Sequence, residues 1–336
     1  MTELSIGVVG LGYWGPNVLR NFYACPGATV RYACDLAESN LARVRSQYPS
    51  VETTSNFDQL LNDDGLQAVA IATPVSTHFD LARRALEAGK HVLVEKPITA
   101  TAAEAEALIE IASQKQLVLM VDHTFVYTGA VRKMKEIVSS GELGDLFYLD
   151  SQRMNLGLIQ ADIDVIWDLA PHDLSILSFL VDKDPVSVYA SGSSYVGNPD
   201  LCEVAYLTIR YEGNFQAHVA SSWLSPVKMR QMVVCGSRKM ILYDDIEPTE
   251  KIRVYDKGVD LEWDEITPFN PAYRSGDVVI PQLDQTEALQ REAAHFVECV
   301  STGSEPLTSA RSGLRVVRIL EAATESLRSG SPVAPA

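Results

Sequence analysis

The chain has 336 residues, 46% of them hydrophobic and 21% charged, with a formal net charge of −16 at pH 7. That length accommodates two domains with cores of their own, and the acidic balance argues against nucleic acid or an anionic membrane as partner, since either would be repelled. The five cysteines (Cys25, Cys34, Cys202, Cys235 and Cys299) lack Cys-x-x-Cys spacing, so neither a disulfide framework nor a zinc site is expected and a reducing cytosol is.

The N-terminus enters a strand directly, with no basic n-region or cleavage site. No apolar run approaches the roughly 18 residues of a membrane span, so a cytoplasmic protein is expected. From Leu4 to Val121 short apolar strands alternate with amphipathic helices. Strands are predicted at Leu4–Val9, Thr29–Cys34, Val51–Thr53, Ala68–Ala72, His91–Val94 and Leu117–Val121, with helices at Trp14–Tyr23, Glu38–Gln47, Phe57–Leu61, Thr77–Ala88 and Ala102–Gln114. This rhythm implies a parallel sheet covered on both faces, with ligands beyond the carboxyl ends of the strands.

The first turn reads Gly10-Leu11-Gly12-Tyr13-Trp14-Gly15. Gly10 permits a tight turn, Gly12 lets the backbone approach a pyrophosphate, and Gly15 lets the helix pack close to the strand. Unpaired amides at the helix start suit a phosphate anion, with Tyr13 and Trp14 beside it. Alone, the pattern also fits an ordinary glycine-rich turn. The second strand, however, ends at Asp35, where a dinucleotide fold puts the carboxylate that binds the adenosine ribose. Asp35 would repel a 2′-phosphate, and Leu36-Ala37 supply no cation, so NAD(H) is favoured over NADP(H).

After Asp122 the pattern changes, placing a dinucleotide-binding domain at 1–122 and an α+β domain at 123–330. Helices are predicted at Gly129–Ser140 and Leu169–Val181, and strands at Leu146–Arg153, Val186–Tyr195, Val204–Tyr211, Phe215–Trp223, Met229–Cys235 and Lys239–Tyr243. Hairpin-like breaks at Glu212-Gly213-Asn214 and Gly236-Ser237-Arg238 imply antiparallel pairing. Residues 244–285, rich in acidic residues, Pro and Gly, read as a loop-rich excursion. Helices Glu287–Val300 and Ser309–Arg328 close the chain.

Two further stretches carry chemistry. Glu95-Lys96-Pro97 ends the fifth strand, and Pro97 restricts Lys96 to an extended backbone. In Trp167-Asp168-Leu169-Ala170-Pro171-His172, Pro171 is tolerated in a first helical turn, which places the helix start near Asp168. Asp168 and His172, four apart, then share a face. The residues alone also fit a surface lysine, an N-cap aspartate and an incidental histidine. His123, His218 and His295 read as structural, and no cluster has metal-ligand spacing.

Together the glycine turn, Ala72-Thr73-Pro74, His78, the Ala88–Val92 stretch, Glu95-Lys96-Pro97 and the Asp168/His172 pair resemble the glucose–fructose oxidoreductase / inositol dehydrogenase / MocA family, over nearly the whole chain. The resemblance implies an α/β chain: an N-terminal Rossmann domain and a C-terminal α+β domain with an open-faced, mainly antiparallel sheet. It also implies burial of that sheet by another subunit, in a homodimer or homotetramer, and an inter-domain cleft for nicotinamide and substrate. By resemblance Lys96, Asp168 and His172 match the catalytic residues, and Glu95, Thr73 and Pro74 match cofactor contacts, with His78 beside them. The opening turn and the Arg153–Asn155 segment look most like members acting on nucleotide-linked sugars at C3. Tyr127, Arg153, Asn155, Gln160 and Asp164 are the candidate substrate-facing residues, with Arg153, Lys228 and Arg230 available to offset a diphosphate. The implied activity is hydride transfer between NAD(H) and a sugar, sugar nucleotide or cyclitol. A redox-neutral glycosidase and a dinucleotide-binding regulator are the competing readings.

Overall fold

The computed structural model describes residues 3–161, 163–262 and 270–336. Its elements run β1 (Leu4–Val9), α1 (Gly15–Tyr23), β2 (Ala28–Cys34), α2 (Glu38–Gln47), β3 (Glu52–Thr54), α3 (Phe57–Leu61), β4 (Ala68–Ile71), α4 (His78–Glu87), β5 (His91–Glu95), α5 (Ala102–Gln114) and β6 (Leu119–Asp122). Then follow α6 (Gly129–Ser139), β7 (Leu146–Leu156), α7 (Val165–Val181), β8 (Pro185–Ser193), β9 (Val204–Tyr211), β10 (Gln216–Ser222), β11 (Leu224–Gly236) and β12 (Met240–Asp244). The last are β13 (Ile252–Glu262), β14 (Asn270–Val279), α8 (Ala288–Thr302) and α9 (Ala310–Ser329).

Two compact units form, one from residues up to Thr128 with Thr286–Arg318, the other from Gly129–Gln285 with Ile319–Ala336. The chain thus returns: α8, which a linear division at 122/123 puts in the second domain, belongs to the first unit. Phe22 of α1 and Phe296 of α8, both fully buried, meet edge to face at 5.9 Å between centroids. Burial of this apolar helix face against α1 is what docks α8 on the first unit.

In the first unit six parallel strands are ordered β3-β2-β1-β4-β5-β6. The order reverses between β1 and β4, so the turns after these two strands diverge and open a crevice at their carboxyl ends. Ile6 and Val8 of β1 and all of β4 are buried, as a sheet covered on both faces requires. α5 starts on a capping box, with Thr101 and Glu104 bonding each other's backbone amides. α3 is capped by Asn56, which accepts from the Asp58 amide.

The second unit holds an eight-stranded sheet ordered β14-β13-β12-β11-β7-β10-β9-β8. Neighbours are antiparallel except β7 and β10, which run parallel. Two sequence expectations fail here. Residues 244–285 contain a strand pair, β13 and β14, with Tyr255 opposite Val278 and Val259 opposite Tyr273. β14 is an edge strand, and β13 pairs with β12 over Ile252–Tyr255 before running on beside β14 as a two-stranded ribbon; backbone with no ladder on one side tolerates the Pro, Gly and charged residues that disguised this pair. The connecting residues 263–269 lie outside the described residues.

Helix α7 begins at Val165 rather than near Asp168. Asp164 caps it, accepting from the Ile166 and Trp167 amides at 2.9 and 3.1 Å. Pro171 therefore lies inside the helix, at a cost of about 3 kcal/mol. Val165 and Ile166, each 0% exposed, return about 1.5–3 kcal/mol apiece on burial, so the extra turn wins.

Candidate functional site

A cavity of about 750 Å³ opens at the crevice of the first unit, within the range of roughly 300–1,000 Å³ typical of small-molecule sites. Its lining includes Gly10, Gly12, Tyr13, Trp14, Asp35, Thr73, Pro74, Glu95 and Lys96. The turns after β1, β2, β4 and β5 bring these together from four separate stretches of chain.

The glycines differ in what their neighbours demand. Gly10 has φ +86°, and a Cβ there would lie 2.5 Å from the Ala72 carbonyl oxygen; a Cβ on Gly15 would lie 1.8 Å from the Gly10 carbonyl oxygen. Both close the turn against backbone. A Cβ on Gly12 would meet nothing within 4 Å, so Gly12 is not required by packing and faces open space. Helix α1 has no side-chain cap, which leaves its first-turn donors for an anion. These features fit a dinucleotide pyrophosphate. Gly15→Ala is expected to lower both the melting temperature and NAD affinity, the latter at least tenfold. Gly12→Ala should lower affinity while leaving the melting temperature unchanged. Calorimetric titration and thermal melts separate the two, and wild-type affinity in Gly12→Ala would contradict the pyrophosphate reading.

Asp35 accepts from the Leu11 amide at 2.6 Å on Oδ2 and from the Ala37 amide at 2.7 Å on Oδ1. It therefore fixes the glycine turn, and each oxygen retains a second acceptor direction for a ribose hydroxyl. Sequence reading missed Arg43, midway along α2, whose Nη2 donates to the Leu11 carbonyl at 2.7 Å. It braces the turn from outside the cavity lining. Nothing local flags it, because the contact depends on how α2 packs.

His78 is a strut rather than a lining residue. It is 1% exposed, with Nδ1 2.9 Å from the Pro97 carbonyl and Nε2 2.8 Å from the Thr73 carbonyl. It ties the loops after β4 and β5 to each other, and burial pushes its pKa down.

Around Lys96 the first unit is electrostatically unusual. The Lys96–Pro97 peptide is cis, and the Lys96 amide donates to the Glu95 carboxylate. Burial, then the charge of Asp122, push the Glu95 carboxyl well above the usual range. Asp122 accepts from Trp14 Nε1 at 2.7 Å and Thr124 Oγ1 at 2.5 Å. It thereby ties an indole of the glycine turn to the end of β6. His123 is 2% exposed, and burial, then the Lys96 charge, drop its pKa to about 3.

Glu292 of α8 is 0% exposed, and burial, then Asp122, hold its carboxyl well above 4.5. The folded state therefore binds this proton more tightly than the unfolded one. The stability linked to it is present at low pH and is lost as pH rises from 4.5 through the folded value. Glu292→Gln, which mimics the neutral form, should melt with wild type near pH 4.5 and increasingly above it as the pH rises. Parallel melting curves across that range would refute this.

In the second unit Asp168 and His172 lie one turn apart on α7, both half-buried. Asp168 Oδ2 accepts from Trp223 Nε1 at 2.9 Å. Three candidate substrate residues have other roles. Arg153 is 3% exposed and pairs with Asp173 through Nε–Oδ2 at 2.8 Å and Nη2–Oδ1 at 3.1 Å. Its guanidinium is held inside, where a lone charge would be prohibitive and a bidentate pair is not. Tyr127 is 2% exposed and bonds Thr308 at 3.1 Å within the first unit. Asp164 is the helix cap. Asn155 and Gln160 are half-buried, Lys228 is exposed, and Arg230 pairs with Asp245 at 3.5 Å. Among the structural histidines, His218 meets Thr208 at 3.2 Å and His295 accepts from the Leu307 amide at 3.1 Å. Among the described residues no His, Cys, Asp and Glu group could hold a metal, and no helix is long and apolar enough to cross a membrane.

Residues 4–123 match the model of an oxidoreductase family with an NAD-binding Rossmann fold, and residues 131–242 match the GFO/IDH/MocA C-terminal domain. UDP-N-acetylglucosamine 3-dehydrogenase from Acidithiobacillus ferrooxidans is 28% identical over 94% of this chain and 95% of that one. A structure solved under that name from the same organism superposes with a TM-score of 0.82 at 25% identity, over 98% of this chain and 99% of that one. Two Bacillus subtilis scyllo-inositol 2-dehydrogenases are also similar. The one named for NAD(+) is 25% identical over 98% of this chain and 96% of that one. The one named for NADP(+) is 24% identical over 86% and 84%.

Proposed function

The chain belongs to the GFO/IDH/MocA family of NAD-binding oxidoreductases, and on that premise we propose that it moves hydride between NAD(H) and a secondary alcohol or ketone of a sugar, nucleotide-linked sugar or cyclitol. The observation that carries this reading is the continuity of one cavity from Asp35, past Gly12, to Glu95 and Lys96. It offers a ribose acceptor, a pyrophosphate seat and an ammonium in the order a dinucleotide and its substrate need them. The substrates in the names of the relatives, a UDP-amino sugar and inositols, support this substrate class.

Bound NAD⁺ supplies the hydride acceptor. The chain's own groups deal with the hydroxyl proton left behind. His172 accepts it as general base, Asp168 orients the imidazole, and the Lys96 ammonium donates to the oxygen as negative charge builds there. In the reducing direction the same groups deliver the proton to the ketone oxygen.

NAD(H) is the preferred cofactor in this reading, because a 2′-phosphate would face the Asp35 carboxylate. Arg43, the nearby cation on α2, is engaged with the Leu11 carbonyl. The exposed or half-exposed face of the second sheet, with Tyr148, Tyr189 and Tyr206, is assigned to a second copy of the chain in a homodimer or homotetramer, which light scattering checks. The five free cysteines suit a reducing cytoplasm.

A panel of free sugars, inositols and UDP- or dTDP-sugars, each with NAD⁺ and with NADP⁺, tests the proposal. Reduced-nicotinamide absorbance is expected to rise with members of one of these classes, and faster with NAD⁺. Substrate conversion with no net change in absorbance would instead favour a redox-neutral glycosidase. Equal affinity for the two cofactors would remove the role given to Asp35.

A further inference from the structure

Trp223, between β10 and β11, is 1% exposed and is the largest fully buried side chain among the described residues. Its backbone is held at both polar groups: the amide donates to the Glu203 carbonyl at 2.9 Å, and the carbonyl accepts from the Gly157 amide at 2.9 Å. The five-membered ring edge packs on Gly157, where a Cβ would come within 2.8 Å of Cδ1. An indole has a single polar atom, and it only donates. Here that donor is aimed at Asp168 Oδ2, 2.9 Å away.

The Asp168 carboxylate is not needed to cap α7, because Asp164 does that. Nor does a buried indole N–H require a carboxylate, since a backbone carbonyl would satisfy it. Matching this donor to a half-buried carboxylate fixes the carboxylate plane, and with it the direction of the second oxygen.

We propose that Trp223 is a positioning residue, whose indole N–H holds Asp168 in the orientation from which it directs His172. This rests on the roles given to Asp168 and His172 under the proposed function. Gly157 belongs to the same device, as the only residue type that lets the ring sit where it does. Glu203 anchors the other side: it is 1% exposed, and its carboxylate accepts from the amides of Tyr195, Val196 and Gly197 at 2.5, 3.3 and 2.6 Å. That locks the loop between β8 and β9, whose last residue, Glu203, presents its carbonyl to Trp223.

The test compares Trp223→Phe, Asp168→Asn, their double variant and His172→Ala, on a substrate identified by the panel above. Removing a hydrogen bond to a charged group is expected to lower kcat about 10- to 100-fold, with KM for NAD⁺ unchanged. In the Asp168→Asn background Trp223→Phe should add little further loss, since the carboxylate it holds is already gone. A merely structural tryptophan would instead add the same loss in both backgrounds, and that additivity overturns the proposal. So does wild-type kcat in Trp223→Phe when His172→Ala is inactive, an outcome that leaves the acid–base assignment standing. Wild-type kcat in both Trp223→Phe and His172→Ala removes the assignment and the proposal together. Should Trp223→Phe fail to fold, Gly157→Ala carries the same comparison, because it displaces the ring while keeping the donor.

Discussion

Replacing His172 with alanine is expected to lower kcat about 10²- to 10⁴-fold while leaving NAD⁺ affinity unchanged. Abstraction of a hydroxyl proton in concert with hydride loss needs a base whose proton affinity lies near neutral pH, and imidazole is the side chain that has one. His172 is half-buried on α7, one turn beyond Asp168. In the proposed mechanism the Asp168 carboxylate biases the ring tautomer and stabilises the protonated ring that forms. The dinucleotide site lies wholly in the first unit, so truncating a residue of the second unit should not disturb it. Steady-state kinetics with calorimetric titration of NAD⁺ give both readings. Wild-type turnover in this variant would remove the base from the mechanism.

Lys96→Met is expected to lower kcat about 10²-fold, the typical loss when one donor to a developing oxyanion is removed. The residue directly follows β5, between Glu95, the last residue of the strand, and Pro97. Burial, then Asp122, raise the Glu95 carboxyl well above its ordinary value, while the Lys96 charge pulls it the other way, so the two neighbours are electrostatically linked. Met keeps the length and apolar stem of Lys while deleting the charge, which separates electrostatics from packing. If only the KM for NAD⁺ rises and kcat is untouched, Lys96 serves cofactor positioning instead.

The parts legible in the sequence are those whose physics is local. Gly10 and Gly15 are demanded by contacts within a few residues of the same turn and by the neighbouring β4 loop, so the pattern Gly-x-Gly-x-x-Gly carries them. The Thr101–Glu104 capping box is likewise a four-residue event. The illegible parts depend on partners distant in the chain. Arg153 presented itself as a cation for a diphosphate until the fold brought Asp173 against it. Tyr127 is buried because Thr308, far along the chain, closes over it.

Pro171 misled in a different way. It obeys a rule about helix starts, which two buried aliphatic side chains and the Asp164 cap override. The β13–β14 pair is hidden because β14 is an edge strand and the far part of β13 runs beside it as a two-stranded ribbon, and such backbone accepts the composition of loops. His78 belongs to the sequence pattern of the site, but its partners are set by the fold, where it spans the Thr73 and Pro97 carbonyls behind the cavity lining. Trp223 carried no motif at all; its significance lies in a single distance to Asp168.

The proposed activity requires that hydride pass directly between a substrate carbinol carbon and the nicotinamide. The most direct measurement is a single-turnover reaction with substrate deuterated at that carbon, followed by mass analysis of the recovered cofactor. Deuterium is expected in the reduced nicotinamide, with a slower rate than with unlabelled substrate. Conversion of the substrate with the label absent from the nicotinamide would contradict it.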